Sequence, residues 1–143
     1  MKEKIILFTR VPKEGTTKTR LYDFMSPTEA VNIQKKLLKK NYDLLAETNR
    51  ELLVCHDGNS SDDKEMAELI SCDKFYYQKG DNLGDKMYNA LEEVISDSKV
   101  ILLGSDIFNL DKDIIEEAFE KLETHDVVIN PSEDGGYFLI GMK

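Results

Sequence analysis

Arg10, Lys13, Lys18 and Arg20 place four cations within Thr9-Arg10-Val11-Pro12-Lys13-Glu14-Gly15-Thr16-Thr17-Lys18-Thr19-Arg20-Leu21, with one Gly and with Thr16, Thr17 and Thr19 around Lys18. Cations, hydroxyls and free backbone N–H groups in one loop suit phosphate oxygens. Lys18 and Arg20 supply the charge, and Gly15 lets the backbone approach closely. The loop is not a Walker P-loop. That motif needs Gly directly before the Lys and another five residues earlier, where Thr17 and Pro12 stand. No dinucleotide G-x-G-x-x-G fingerprint occurs either. Alone, the stretch also reads as an ordinary basic surface loop.

Two acidic turns could complete such a site. Asp106 follows the apolar run Val100 to Leu103 after only Gly104 and Ser105. A carboxylate there suits Mg²⁺ or Mn²⁺, which take one or two carboxylates together with phosphate oxygens and water; it equally suits a cap for Ile107 to Leu110. Glu133-Asp134-Gly135-Gly136 offers a second carboxylate, and reads equally as a hairpin or bulge. Asp111-Lys112-Asp113 is better read as a helix start, where acids favour the positive dipole end. Cys55, His56 and Asp57 do not form a nucleophile triad, because neighbours in a strand point to opposite faces.

The elements that must position these residues follow from the apolar pattern. Continuous apolar runs at Lys4 to Thr9 and Val100 to Leu103 predict strands buried on both faces. Further strands are expected at Glu51 to His56, Lys74 to Gln78 and Asp126 to Asn130, and Pro131 to Gly141 reads as a polar glycine turn running into a last apolar strand. Ser26, Pro27 and Glu29 spell a capping box with Pro at the first helical position. The helix that follows buries Ala30, Ile33, Leu37, Leu38, Tyr42 and Leu45, with Lys35, Lys36, Lys39 and Lys40 around the turn as a solvated basic quartet. A short helix over Ser61 to Ile70 should turn Met66, Ala67 and Ile70 inward. Asn82 should cap a helix with the stripe Leu83, Met87, Ala90, Leu91 and Val94. Asp111, Ile114, Ile115, Ala118, Phe119 and Leu122 describe one more. Alternating strands and helices predict an α/β sandwich with a mostly parallel sheet. The loop at 10 to 20, the turn at 79 to 85, Gly104-Ser105-Asp106 and Glu133 to Gly136 should meet beyond its carboxyl edge.

A chain of 143 residues is expected to form one domain, 1 to 143. Its first twenty residues hold six Lys or Arg against two Glu, although the whole chain carries −9. A local cationic site on an acidic body argues against a sequence-independent nucleic-acid binder, which needs a broad basic surface. Cys55 and Cys72 form no metal or redox motif and are expected as buried or half-buried free thiols. No apolar run is long enough for a signal peptide or membrane span, so a cytoplasmic protein is expected.

Four blocks together resemble a known family. They are Phe8 to Pro12 with Gly15 and Lys18-Thr19-Arg20-Leu21; Gln78-Lys79-Gly80-Asp81-Asn82-Leu83-Gly84-Asp85-Lys86-Met87; Leu103-Gly104-Ser105-Asp106; and Pro131 to Gly141. In order and spacing they resemble a bacterial family of GT-A-type glycosyltransferases, some members of which are linked to arsenosugar biosynthesis. Lys18-Thr19-Arg20-Leu21 is also similar to the phosphate loop of phospholactate guanylyltransferases and, more remotely, of molybdenum-cofactor guanylyltransferases. The resemblance implies a Rossmann-like nucleotide-diphosphosugar-transferase fold that binds a nucleotide sugar or a nucleoside triphosphate with Mg²⁺ or Mn²⁺. It implies phosphate contacts from Arg10, Lys18 and Arg20, metal ligation by Asp106, and a second metal or acceptor carboxylate in Asp134. Asn82 and Gly84 would lie near the nucleotide. Asp106-Ile107-Phe108 departs from the Asp-x-Pro turn common at this place, and relatives continue past the final glycine block with further elements. The expected activity is metal-dependent glycosyl transfer from a nucleotide sugar to a small acceptor. Pyrophosphate-releasing nucleotidyl transfer and non-catalytic nucleotide binding are the alternatives.

Overall fold

The computed structural model describes residues 1–143. Six strands form one sheet: β1 (Lys2–Thr9), β2 (Glu51–His56), β3 (Phe75–Tyr77), β4 (Ser98–Gly104), β5 (Val127–Pro131) and β6 (Tyr137–Met142), in the order β3-β2-β1-β4-β6-β5. β1 pairs in parallel with β2 and β4, and β2 with β3. β6 runs antiparallel between β4 and β5. The sheet is mostly parallel, as the alternation of elements predicted. Strand order reverses between β1 and β4, so their carboxyl ends flank a crevice at the switch point.

Four helices cover the sheet: α1 (Pro27–Ala46), α2 (Asp63–Leu69), α3 (Leu83–Val94) and α4 (Lys112–Leu122). The capping box of α1 forms as read, Ser26 Oγ accepting from the Glu29 N–H and Glu29 accepting from the Ser26 N–H. Asn82 caps α3 and Asp111 caps α4. Asp111-Lys112-Asp113 is therefore the helix start the dipole argument favoured. The helix expected over Ser61 to Ile70 is split into a 3₁₀ turn, Ser60–Asp62, and α2. Met66 and Ile70 point inward, but Ala67 is exposed, because so short a helix turns only one narrow stripe to the sheet.

Side chains alternate between two faces of the sheet. One face carries Ile5, Leu7, Val54, Ile101, Leu103 and Leu139 under α1, α2 and α4. Gly141 lies there without a side chain, since a Cβ would come within 3.0 Å of Ile101 Cγ2. The other carries Ile6, Phe8, Cys55, Val100 and Leu102 under α3 alone. Met87, Ala90, Leu91 and Val94 meet that face, whereas Leu83, expected in the same stripe, is 64% exposed. It occupies the first residue of α3, beyond the end of the sheet. No helix is long and apolar enough to cross a membrane.

Candidate functional site

The chain leaves β1 into a loop held in shape by its own hydrogen bonds. The Val11 N–H donates to Asp57 Oδ1 at 2.8 Å, and buried Val11 anchors the loop in the core. The Lys13 N–H donates to Thr17 Oγ1 while the Thr17 N–H donates back to the Lys13 carbonyl. Gly15, at φ +87°, gives its N–H to the Tyr22 hydroxyl at 2.8 Å. Lys18 adopts a left-handed backbone at φ 49°, unusual outside Gly and costly enough to need support from its surroundings. That turn carries the lysine side chain inward: it is 7% exposed, and Nζ lies 3.6 Å from Asp106 Oδ2. An acidic turn after β2 braces the loop from outside. Lys13 pairs with Asp62 at 2.9 Å, and the Asn59 N–H followed by Lys13 hold the Asp62 carboxyl below its ordinary range.

The Asp106 turn is fixed from beneath by two amides of α1. Ser105 Oγ lies 2.7 Å from Thr9 Oγ1 and accepts from Gln34 Nε2 at 3.0 Å. Asn41, with no solvent exposure, donates to the carbonyls of Ser105 and Ile107 at 2.7 and 3.0 Å. Its own Oδ1 has no partner. Turning the amide over would set that oxygen against two carbonyl oxygens, so its orientation is determined. Gln34 and Asn41 escaped the sequence reading, although their seven-residue spacing within the core-facing stripe was a signal, since buried amides need partners.

These loops enclose a cavity of about 580 Å³ lined by Arg10, Lys18, Arg20 and Lys86, by Asp57 and Asp106, and by several hydroxyls. Phe8 and Leu83 are its only apolar walls. Arg10, Lys18, Arg20 and Asp106 of the expected residues thus share one space. Gly15, Asn82, Gly84 and Asp134 do not line it. Asn82 is engaged as the α3 cap, and Gly84 lies in that helix. Asp134 closes its own turn, accepting from the Ser132 hydroxyl and, at 3.1 Å, the Gly136 N–H. Those two bonds, and Arg20 nearby, hold its carboxyl below the usual range. Gln78 and Lys86, from the second block, and Asp57, after β2, also line the cavity, a role not expected of them individually. Gln78 Nε2 donates to the carbonyls of Thr9 and Cys55, tying β3 to the loop.

No three His, Cys, Asp or Glu side chains gather closely enough to cage a metal by themselves. Asp106, half exposed in a cavity lined by Lys, Arg and hydroxyl groups, instead has the chemistry for a cation that shares one carboxylate with other oxygen ligands and water. His56, buried beneath the rim, accepts from the Gly58 N–H through Nδ1 and meets Asp63 through Nε2 at 2.9 Å. Cys55 belongs to the opposite face, and burial pushes its thiol up to about 12. The three consecutive residues do not converge, as strand geometry required.

Fold and cleft place the protein in the nucleotide-diphospho-sugar-transferase fold. A solved protein from Desulfovibrio desulfuricans G20, provisionally described as a nucleotide-diphospho-sugar transferase, superposes with a TM-score of 0.91 at 30% identity over 100% of this chain and 64% of its own. The 4-diphosphocytidyl-2C-methyl-D-erythritol synthase of Anaerococcus prevotii DSM 20548 shares the fold, with a TM-score of 0.58 at 9% identity over 99% of this chain and 71% of that one. The chain belongs to the family described as "Uncharacterized protein conserved in bacteria (DUF2064)", whose pattern matches residues 38–143. It is also 26% identical, over 94% of its length, to the 2-phospho-L-lactate guanylyltransferase of Methanobrevibacter ruminantium, of which it spans 62%. The chain therefore covers somewhat under two thirds of the guanylyltransferase and of the Desulfovibrio protein.

Proposed function

We propose that the cavity binds the diphosphate of a nucleotide sugar with Mg²⁺ or Mn²⁺ and that the protein transfers the sugar to a small acceptor. The observation that carries this reading is the convergence of Lys18 and Asp106, 3.6 Å apart at the switch point of the sheet, with Arg10 and Arg20 lining the same space. Lys18, Arg10 and Arg20 offset charge that grows on the leaving diphosphate, in a site preorganised by the bonds to Ser105 and within the loop. A cation at Asp106 supplies Lewis-acid stabilisation of the same group. In the step, the acceptor oxygen bonds to the anomeric carbon while the bond from that carbon to the diphosphate oxygen breaks. Its electron pair leaves with the nucleoside diphosphate, and the acceptor proton passes to solvent. Asp134, kept ionised by Ser132, Gly136 and Arg20, is assigned to orient the acceptor hydroxyl; its lowered pKa makes it a weak base. Gly15 shapes the cradle, and Asn82 and Gly84 set the start of α3 beside the nucleotide.

A second reading, nucleotidyl transfer from a nucleoside triphosphate with pyrophosphate leaving, draws on the similarity to the guanylyltransferase. The same cradle serves both. Thermal shift with nucleoside diphosphates, nucleotide sugars and triphosphates, with and without Mn²⁺, tests them together. A ligand at about 100 times its Kd adds roughly 2.7 kcal/mol of stability. No shift with any member would sink both readings. Where binding is seen, release of nucleoside diphosphate supports the first and of pyrophosphate the second. Lys18→Ala should weaken nucleotide binding by about 1.5–3 kcal/mol, the range for a hydrogen bond to a charged group; unchanged affinity removes Lys18 from the site.

A further inference from the structure

The loop that carries Arg10 and Lys18 is tied to the turn after β2 at two places. Buried Val11 gives its N–H to Asp57 at 2.8 Å, and Lys13 pairs with Asp62 at 2.9 Å. Gly58 is wedged between those two contacts. A Cβ there would come within 2.9 Å of both Val11 Cγ2 and the Asp62 carboxyl carbon. Where this turn stands therefore decides where the loop stands.

The turn is held by His56, which has no solvent exposure. Its Nδ1 lies 3.0 Å from the Gly58 nitrogen; a backbone N–H can only donate, so Nδ1 carries no proton and Nε2 does. Nε2–H donates to Asp63 Oδ1 at 2.9 Å, and Asp63 Oδ2 accepts from the Tyr77 hydroxyl at 2.6 Å. The imidazole also packs on Phe75 and Tyr77, with ring centroids 5.6 and 5.2 Å away. A side-chain acceptor bonded to the N–H two residues on is the arrangement that Asn and Asp make in an Asx turn. Here one ring nitrogen takes that part and the other anchors the ring to α2 and, through Asp63, to β3.

We propose that His56 is a positioning residue of the anion site: through Gly58 it holds the Asp57 turn against Val11, and so sets where Arg10 and Lys18 stand in the cavity. The assignment rests on the diphosphate reading above. His56 is not among the cavity walls, so it acts on a ligand only through the loop.

Two amide variants separate the roles of the two ring nitrogens. In His56→Asn, Oδ1 can accept from the Gly58 N–H as in an Asx turn, while Asp63 loses its donor. In His56→Gln, one methylene longer, Nε2 can donate to Asp63, while the Gly58 N–H loses its acceptor. Both remove the ring from Phe75 and Tyr77, so both should lower the urea midpoint comparably. Inorganic pyrophosphate with Mg²⁺ is the probe, titrated calorimetrically. Its affinity should fall by about tenfold or more in His56→Gln and by less than about threefold in His56→Asn, since a buried donor left without its acceptor costs about 1–3 kcal/mol. Equal losses in the two variants, or unchanged affinity in His56→Gln, overturn the proposal, because a merely structural role would follow stability alone. The parent protein gives a check that needs no variant to fold. Saturating pyrophosphate should slow hydrogen exchange of the Val11 and Gly58 amides together, coupling being reciprocal; a Gly58 amide that does not respond overturns the proposal. Should pyrophosphate not bind the parent, exchange of the Val11 amide relative to those of β4 separates the two failures. Faster exchange in His56→Gln alone keeps His56 as the residue that positions the loop and discards the diphosphate reading, and equal exchange in both variants discards both.

Discussion

One face of the sheet is packed by three helices over a cluster of 18 buried side chains, and the other by α3 over a cluster of six. The two faces also serve the cleft differently. From the thick face α1 sends Gln34 and Asn41 under the Asp106 turn, and Asp63 of α2 holds His56 beneath the rim. The thin face contributes Leu83 and Lys86, whose side chains line the cavity. The buried amides that fix the Asp106 turn thus stand on the better-packed layer, where buried polar networks give a unique geometry. Leu83 and Lys86 stand on the layer with fewer contacts and more freedom.

Truncations of like residues on the two faces give the largest test of this contrast. Leu38→Ala, with no exposure in the thick layer, should cost about 4–5 kcal/mol, and Leu91→Ala about 2–3, because half-buried Met87, Ala90 and Val94 can relax around it. Urea unfolding measures both, and equal costs would remove the distinction. Asn41→Ala comes next. It strips two buried carbonyls of their donor, so stability should fall by about 1–3 kcal/mol. The loosened Asp106 turn should also lose part of its metal-dependent nucleotide affinity, an effect Leu38→Ala should not share; calorimetry with and without Mn²⁺ checks it.

The smallest effect concerns pH. The Tyr77 hydroxyl, followed by His56, holds the Asp63 carboxyl below its ordinary value. A carboxylate with a depressed folded pKa stabilises above the unfolded value, about 4, and that contribution is lost as pH falls through the lower folded value. Asp63→Asn should therefore show a smaller drop in urea midpoint between pH 7 and pH 3 than the parent protein. An unchanged drop would mean that Asp63 does not tie the thick face to the rim.

Much of the fold was legible because its signals are local. Ser26-Pro27-Glu29, Asn82 and Asp111 satisfy N–H groups within one turn of themselves, so their roles could be read from neighbours in the chain. Continuous apolar runs marked the inner strands for the same reason. The convergence of Lys18 and Asp106 followed from a topological rule about strand ends. Gln78 and Lys86 stood within a recognised block and Asp57 at a strand end, but that each lines the cavity was not legible, since a polar residue near a turn looks the same whether it faces solvent or a cleft. The bonds Asp134 accepts from Ser132 and Gly136 within its own turn were not legible either, since its block suggested only a carboxylate near the cleft.

By itself the sequence determined the order of strands and helices, their caps and the cationic loop after β1, because hydrophobic period and capping chemistry act over a few residues. Only the tertiary structure decided which side chains share the cleft. The parallel β1–β4 pairing brings Lys18 to Asp106 across nearly ninety residues of chain, and the left-handed turn at Lys18 aims its side chain inward. Likewise, the packing of α1 against the β4 turn, which no local pattern specifies, makes Gln34 and Asn41 part of the site.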